Sequence, residues 1–170
     1  MIQLTAEVFK IGNIDRGFLA IMARPYIDLE EAASIANIAR LGVHQVVSLL
    51  EPTEARNLGL ESERLEVRAR DMGFVSFPIP DMGRPSSLVE FSQLSRDLCA
   101  QISSGINTLI HCRAGIGRSG LMAAAILLHT GMNVREAFDH VSKMRGVKVP
   151  ETPEQELWLN ANYTEIVSPS

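Results

Sequence analysis

Cysteine is scarce: Cys99 and Cys112 are the only two in 170 residues. Two cannot build a disulfide framework, and neither sits in the CxxC or Cys/His clustering of a zinc site, so a reducing, cytoplasmic setting and no metal are expected. A basic excess is also missing. Sixteen Lys and Arg stand against twenty Asp and Glu, a formal net charge of −4, which argues against a nucleic-acid binder or a coat for anionic membranes. Any phosphate this chain handles must be held locally. Long apolar runs are absent too: the longest, Leu121 to Leu128 and Phe18 to Ala23, fall far short of the roughly 20 residues a membrane span needs. The opening MIQLTAEVFKIGN has no basic segment leading into an apolar core, so it does not read as a secretory signal. Repeats, low-complexity tracts and Gly/Ser linkers are also missing. Against these absences stand 46% hydrophobic and 21% charged residues, enough for a real core in a chain of single-domain length. A soluble monomer is expected.

From residue 28 onward helical periods alternate with short β-rich runs, the rhythm of an α/β domain. Asp28 with Glu31 reads as a capping box opening a helix to about Gly42. His44 to Leu50 reads as a buried strand, Leu60 to Met72 as a helix, and Phe74 to Ile79 as the next strand, stopped by Pro78 and Pro80. Ser87 with Glu90 caps a helix to about Ser103, Ile106 to Ile110 is a strand, and Ser119 to His129 has helical composition. Asn133 with Glu136 opens a helix ending near Gly146, and Thr152-Pro-Glu-Gln155 opens the last, with proline at its first position. Val8 to Ala23 is expected to form an edge hairpin, and residues 166–170 a loose tail.

The strand–loop–helix around residues 106–129 is the centre of the chain. Its loop reads His111-Cys-Arg-Ala-Gly-Ile-Gly-Arg-Ser-Gly120, with a cysteine at a strand end and an arginine six positions on at a helix start. Such a loop makes an anion nest: backbone N–H groups of Arg113, Ala114, Gly115, Ile116, Gly117 and Arg118 can turn inward, and the helix N-terminus adds positive charge. The Arg118 guanidinium can grip two phosphoryl oxygens at once. A cysteine in that field is expected to attack as a thiolate, because helix N-termini and neighbouring cations favour the ionised sulfur. The Ser119 hydroxyl is placed to donate to that sulfur and ease its departure.

His111-Cys112-x-x-Gly115-x-x-Arg118-Ser119 matches the HCxxGxxR[ST] signature, so the chain resembles the cysteine-dependent protein tyrosine phosphatase superfamily. Its length resembles the compact dual-specificity and kinase-associated branch, across about residues 8 to 165. The resemblance implies one phosphatase domain spanning 1–170: an α/β fold with a central, mostly parallel sheet flanked by helices. It implies metal-independent hydrolysis of phosphate monoesters, without a cofactor, through a phosphocysteine on Cys112.

The proton donor such chemistry needs is expected at Asp81, after a strand and 31 residues before Cys112, on a loop hinged by Gly83 and carrying Arg84. A simple turn aspartate is the bland alternative, and Asp71 the fallback donor. Gln155 resembles the family's water-positioning glutamine, yet a capping box with Thr152 explains it equally. Gly115-x-Gly117-x-x-Gly120 is also a literal dinucleotide fingerprint, but Asp139, at the required spacing, lies inside a helical pattern with no strand end. His111 is expected to order the loop, and His44, His129 and His140 to be ordinary structural residues. Cys99 shares a helical face with Leu88 and Ile102 and reads as core, with a reversible disulfide to Cys112 as the alternative. Expected partners are phosphorylated proteins carrying phosphotyrosine and, in a shallow pocket, phosphoserine or phosphothreonine. A phosphoinositide substrate, weakened by the single cation Arg113 at the loop's variable positions, and a pseudophosphatase that binds without turnover are the rivals.

Overall fold

The computed structural model describes residues 8–28 and 31–169. Its strands are β1 (Val8–Ile14), β2 (Gly17–Met22), β3 (Gln45–Ser48), β4 (Gly73–Ser76) and β5 (Thr108–His111); its helices are α1 (Ile35–Arg40), α2 (Pro52–Asn57), α3 (Glu63–Arg68), α4 (Leu88–Ser103), α5 (Gly117–Leu128), α6 (Val134–Arg145), α7 (Pro153–Ala161) and α8 (Tyr163–Val167). The sheet runs β1-β2-β5-β3-β4, antiparallel only between β1 and β2. This is the expected mostly parallel α/β arrangement, with the hairpin's first strand at the edge.

Alternation along each strand divides the apolar residues between two cores, because successive side chains point to opposite faces. Ile110, Val47 and Ile21 join the core beneath α4 to α8, while Leu109, Val46 and Ala20 join the one beneath α1 and α3. Strand β5 is buried at all four residues between β2 and β3. The register aligns Met22, His111 and Ser48 in one row, and Ser48 with Ser76 in the next strand. The segments that leave these four strands therefore emerge together at the carboxyl end of the sheet, where open α/β folds bind ligands.

Three helices begin where their caps foretold. Ser87 Oγ accepts from the Glu90 N–H, Asn133 and Glu136 cap each other, as do Thr152 and Gln155, and Gly146 closes α6 in a left-handed turn. No helix opens at Asp28: α1 starts at Ile35 behind Ser34, whose Oγ accepts from the Asn37 N–H. The preceding backbone is already engaged, Tyr26 N–H with Ala33 O and Ile35 N–H with Tyr26 O, so a helix cannot extend through it. The helix read over Leu60 to Met72 shrinks to α3, and Asp71 turns left-handed (φ 58°) to deliver β4. The tail is anchored at its start: Ile166 is fully buried, and Arg96 donates to the carbonyls of Ile166 and Ser168. No helix of the described residues is long and apolar enough to cross a membrane.

Candidate active site

Cys112 follows β5 directly and is 2% exposed. Its sulfur accepts one hydrogen bond, from the Gly115 N–H at 3.3 Å. Gly115 has φ 70°, and a Cβ there would lie 2.5 Å from the Met22 carbonyl carbon, so only glycine lets the loop pass this close to β2. The carbonyls of residues 113–116 all find donors away from the anion side. Arg113 O accepts from the Arg24 N–H (3.1 Å), Ala114 O and Gly115 O from the Arg145 guanidinium (3.2 and 3.0 Å), and Ile116 O from the Gly120 N–H (3.1 Å). With the carbonyls held outward and no side chain capping α5, the amide face is left for an anion.

Arg118, in the first turn of α5, is almost fully buried. Its Nη1 and Nη2 donate to the two oxygens of Glu54, each at 2.8 Å; Nη1 also reaches the Ile79 carbonyl (3.0 Å), and Nη2 reaches Asp81 Oδ1 (3.0 Å). The Nε–H has no acceptor among the described residues. Burial works against the guanidinium's charge, but the hydrogen bonds to Glu54 and the surrounding negative charge outweigh it and hold Arg118 above its ordinary value. The same hydrogen bonds hold the Glu54 carboxyl below the usual carboxylate range, against the opposing effect of burial. Asp81 thus stands in the site, where Asp71 does not.

Beneath the loop, His111 is fully buried, with Nε2 2.5 Å from Glu63 Oε1, itself buried on α3. Gln155 is fully buried as well. Its Oε1 accepts from the Glu151 and Thr152 N–H groups (3.2 Å each), and its Nε2 donates to the Gly83 carbonyl at 3.0 Å.

A family model for the Swiss Army Knife protein, DSP-PTPase phosphatase domain, matches residues 10–154. The chain belongs to this phosphatase family. The cyclin-dependent kinase inhibitor 3 of Sus scrofa is 34% identical over 85 residues, covering 49% of this chain and 40% of that protein. A phosphatidylglycerophosphate phosphatase of Arabidopsis thaliana is 29% identical over 117 residues, 65% of this chain and 47% of its own length. The phosphatase domain matches less than half the length of these relatives. A solved structure of kinase associated phosphatase, with serine substituted for its catalytic-site cysteine, shares the fold at TM-score 0.82 and 18% identity, covering 100% of this chain and 99% of that one.

Ser119 is buried, and its hydroxyl makes no hydrogen bond to any described group; the Cys112 sulfur is contacted by the Gly115 amide. In the loop that carries Asp81 the left-handed residue is not Gly83. Met82 takes that conformation (φ 58°), while Gly83 is needed because a Cβ would lie 2.9 Å from the Pro80 carbonyl oxygen. Arg84 is exposed and outside the Arg118 network. Glu54 and Arg145 are site residues that sequence reasoning missed. The first had a local signal, the Glu51-Pro-Thr-Glu54 box that opens α2 with proline at its first position. The second had none, because its contacts are 30 and 31 residues away. Cys99 lies on α4, and burial pushes its thiol up, away from the thiolate form. Both cysteines are free thiols.

Proposed function

We propose that this phosphatase domain hydrolyses phosphate monoesters on proteins through a phosphocysteine on Cys112. The observation that carries the reading is the loop itself: a buried sulfur beneath an uncapped helix N-terminus whose neighbouring carbonyls are all turned away. The contacts of Arg118 support one edge for the phosphoryl group. Glu54 occupies the Nη1/Nη2 end, so a phosphoryl group takes the Nε–H together with the Nη2–H that Asp81 now holds. Phosphate binding displaces the Asp81 carboxyl toward the leaving oxygen.

In the first step Asp81, released from Arg118 and protonated from solvent, gives that proton to the departing alkoxide or phenoxide as the Cys112 sulfur bonds phosphorus and the phosphorus–oxygen bond breaks. In the second, Asp81 takes a proton from water, the water oxygen bonds phosphorus, and the sulfur leaves. Ser119, buried and without a partner, is the donor available to that sulfur. The loop amides and Arg118 stabilise the equatorial oxygens in both steps.

Protein substrates are favoured over polyphosphorylated headgroups because the cleft beside the loop sets Arg113 against Glu51, Glu54 and Asp81. The Arabidopsis relative, by name a lipid phosphatase, makes a lipid phosphate monoester the second reading. The test is turnover of p-nitrophenyl phosphate in EDTA, with phosphotyrosine peptide, phosphothreonine peptide and phosphatidylglycerophosphate compared side by side. Activity lost in Cys112→Ser, with the peptides ahead of the lipid, is expected. No turnover by the parent would overturn the enzyme in favour of a phospho-binding module, and a preferred lipid would overturn the protein substrate.

A further inference from the structure

Gln155 has two jobs on offer: orienting the attacking water, or capping a helix. The geometry adds a third. Its Oε1 already accepts from two backbone N–H groups, Glu151 and Thr152, which takes both lone pairs of that oxygen. Its Nε2 spans 72 residues to the Gly83 carbonyl, two positions beyond Asp81. The side chain is fully buried. The lone pairs of Oε1, which would orient an attacking water, are therefore already engaged.

The segment it reaches needs holding. Asp81 and Met82 are exposed, Met82 is in a left-handed conformation that a non-glycine residue adopts at a cost, and the turn closes on itself through a single bond, Gly83 N–H to Pro80 O at 2.8 Å. The turn's far carbonyl would otherwise be free. Gln155 ties that carbonyl to the first turn of α7, and α7 packs on α5, the helix that carries Arg118. The chain of contact runs from the phosphate-binding helix through α7 to the proton donor.

We propose that Gln155 is a positioning residue that latches the acid loop through Gly83, so that its contribution falls on protonation of the leaving group and not on attack by water. The proposal rests on the reading of Asp81 as the general acid. A latch has a kinetic signature. Poorer leaving groups depend more on the acid, so loosening the latch should harm phosphotyrosine, whose phenol ionises near pH ~10, more than p-nitrophenyl phosphate, whose phenol is far more acidic.

Gln155→Glu separates the two functions of the side chain. A glutamate in this place still accepts from the Glu151 and Thr152 N–H groups, as the glutamate of a capping box does, but as a carboxylate it has no proton to donate to Gly83 and repels that carbonyl. Thr152→Ala does the converse: it removes the Oγ1 acceptor of the Gln155 N–H and leaves the latch. The experiment measures melting and the kcat/KM of both substrates for the parent, Gln155→Glu, Thr152→Ala and Asp81→Asn, with methanol added as a competing acceptor for the phosphoenzyme.

The expected result is a Gln155→Glu variant that melts near the parent, loses about tenfold in kcat/KM on phosphotyrosine and less than about threefold on p-nitrophenyl phosphate, and gains no turnover from methanol. Thr152→Ala melts lower and keeps the parental ratio between substrates. If Gln155→Glu does not fold, Gln155→Met, which lacks the donor and also the acceptor of the Glu151 and Thr152 N–H groups, is expected to melt lower and to show the same difference between the two substrates. An unchanged substrate ratio in a folded Gln155 variant overturns the latch. So does a Gln155 variant whose turnover methanol raises, since that marks slow attack by water on an accumulated phosphoenzyme. Failure of the underlying reading looks different: Asp81→Asn itself would show no greater loss on phosphotyrosine.

Discussion

Glu54 and Asp81 bond the same guanidinium on unequal terms. Glu54 binds with both oxygens from the first turn of a helix, and its side chain is 12% exposed; Asp81 binds with one oxygen from a turn, and its side chain is 49% exposed. The buried pair holds Arg118 in place and keeps it charged. The exposed one can exchange, because a half-solvated ion pair is worth about 0–1 kcal/mol, well within what a bound phosphoryl dianion supplies. One carboxylate is fixed by the fold, and the other is placed to exchange, as the proposed proton donor must be. The difference lies in their settings, not in their side chains.

The comparison breaks most completely at its shared partner. Arg118→Lys leaves a point charge that cannot satisfy Glu54, Asp81 and a phosphoryl group together, and turnover should fall about 10³-fold. Steady-state assays on p-nitrophenyl phosphate check this, and near-parental activity would mean the fork is not the phosphate grip. Asp81→Asn comes next: phosphotyrosine turnover should fall about 10²-fold while inhibition by orthovanadate stays within about threefold of the parent. Losing both together would make Asp81 a binding residue.

Glu54→Gln should have the smallest effect, about a tenfold loss shared between binding and turnover, since one neutral hydrogen bond replaces half of a bidentate pair. It also sharpens the contrast through pH. The Glu54 carboxyl is held below its ordinary value in the folded state, so its stabilisation is present above the unfolded-state value near 4.3 and is lost as pH falls through the lower, folded one. Between about pH 5 and pH 3, melting of the parent should therefore drop more steeply than that of Glu54→Gln. Parallel curves would detach Glu54 from the acid limb.

What the sequence made legible follows the range of the interactions. Ser87–Glu90, Asn133–Glu136 and Thr152–Gln155 are bonds between residues three apart, and each opens its helix where the pattern puts it. Cys112, Arg118 and their glycines were readable for the same reason, because a phosphate loop is one continuous segment. Asp28 and Glu31 carried an equally good local pattern and lost, because Tyr26 pairs with the segment at Ala33 and Ile35. Glu54, Arg145 and the second role of Gln155 stayed hidden because their partners lie 64, 30 and 72 residues away. Only the fold says who meets whom at such distances.

Helix α5 is buried at every one of its twelve residues. A helix with no solvent face has no side on which variation is free: an added methylene must displace packed neighbours, and removing a side chain such as Leu121 should cost about 2–5 kcal/mol. Change in substrate preference is therefore channelled to the short elements around it, α2 and the Asp81 turn, whose outer residues touch solvent. Redesign of this scaffold would start there, with the post that carries the phosphate grip left unaltered.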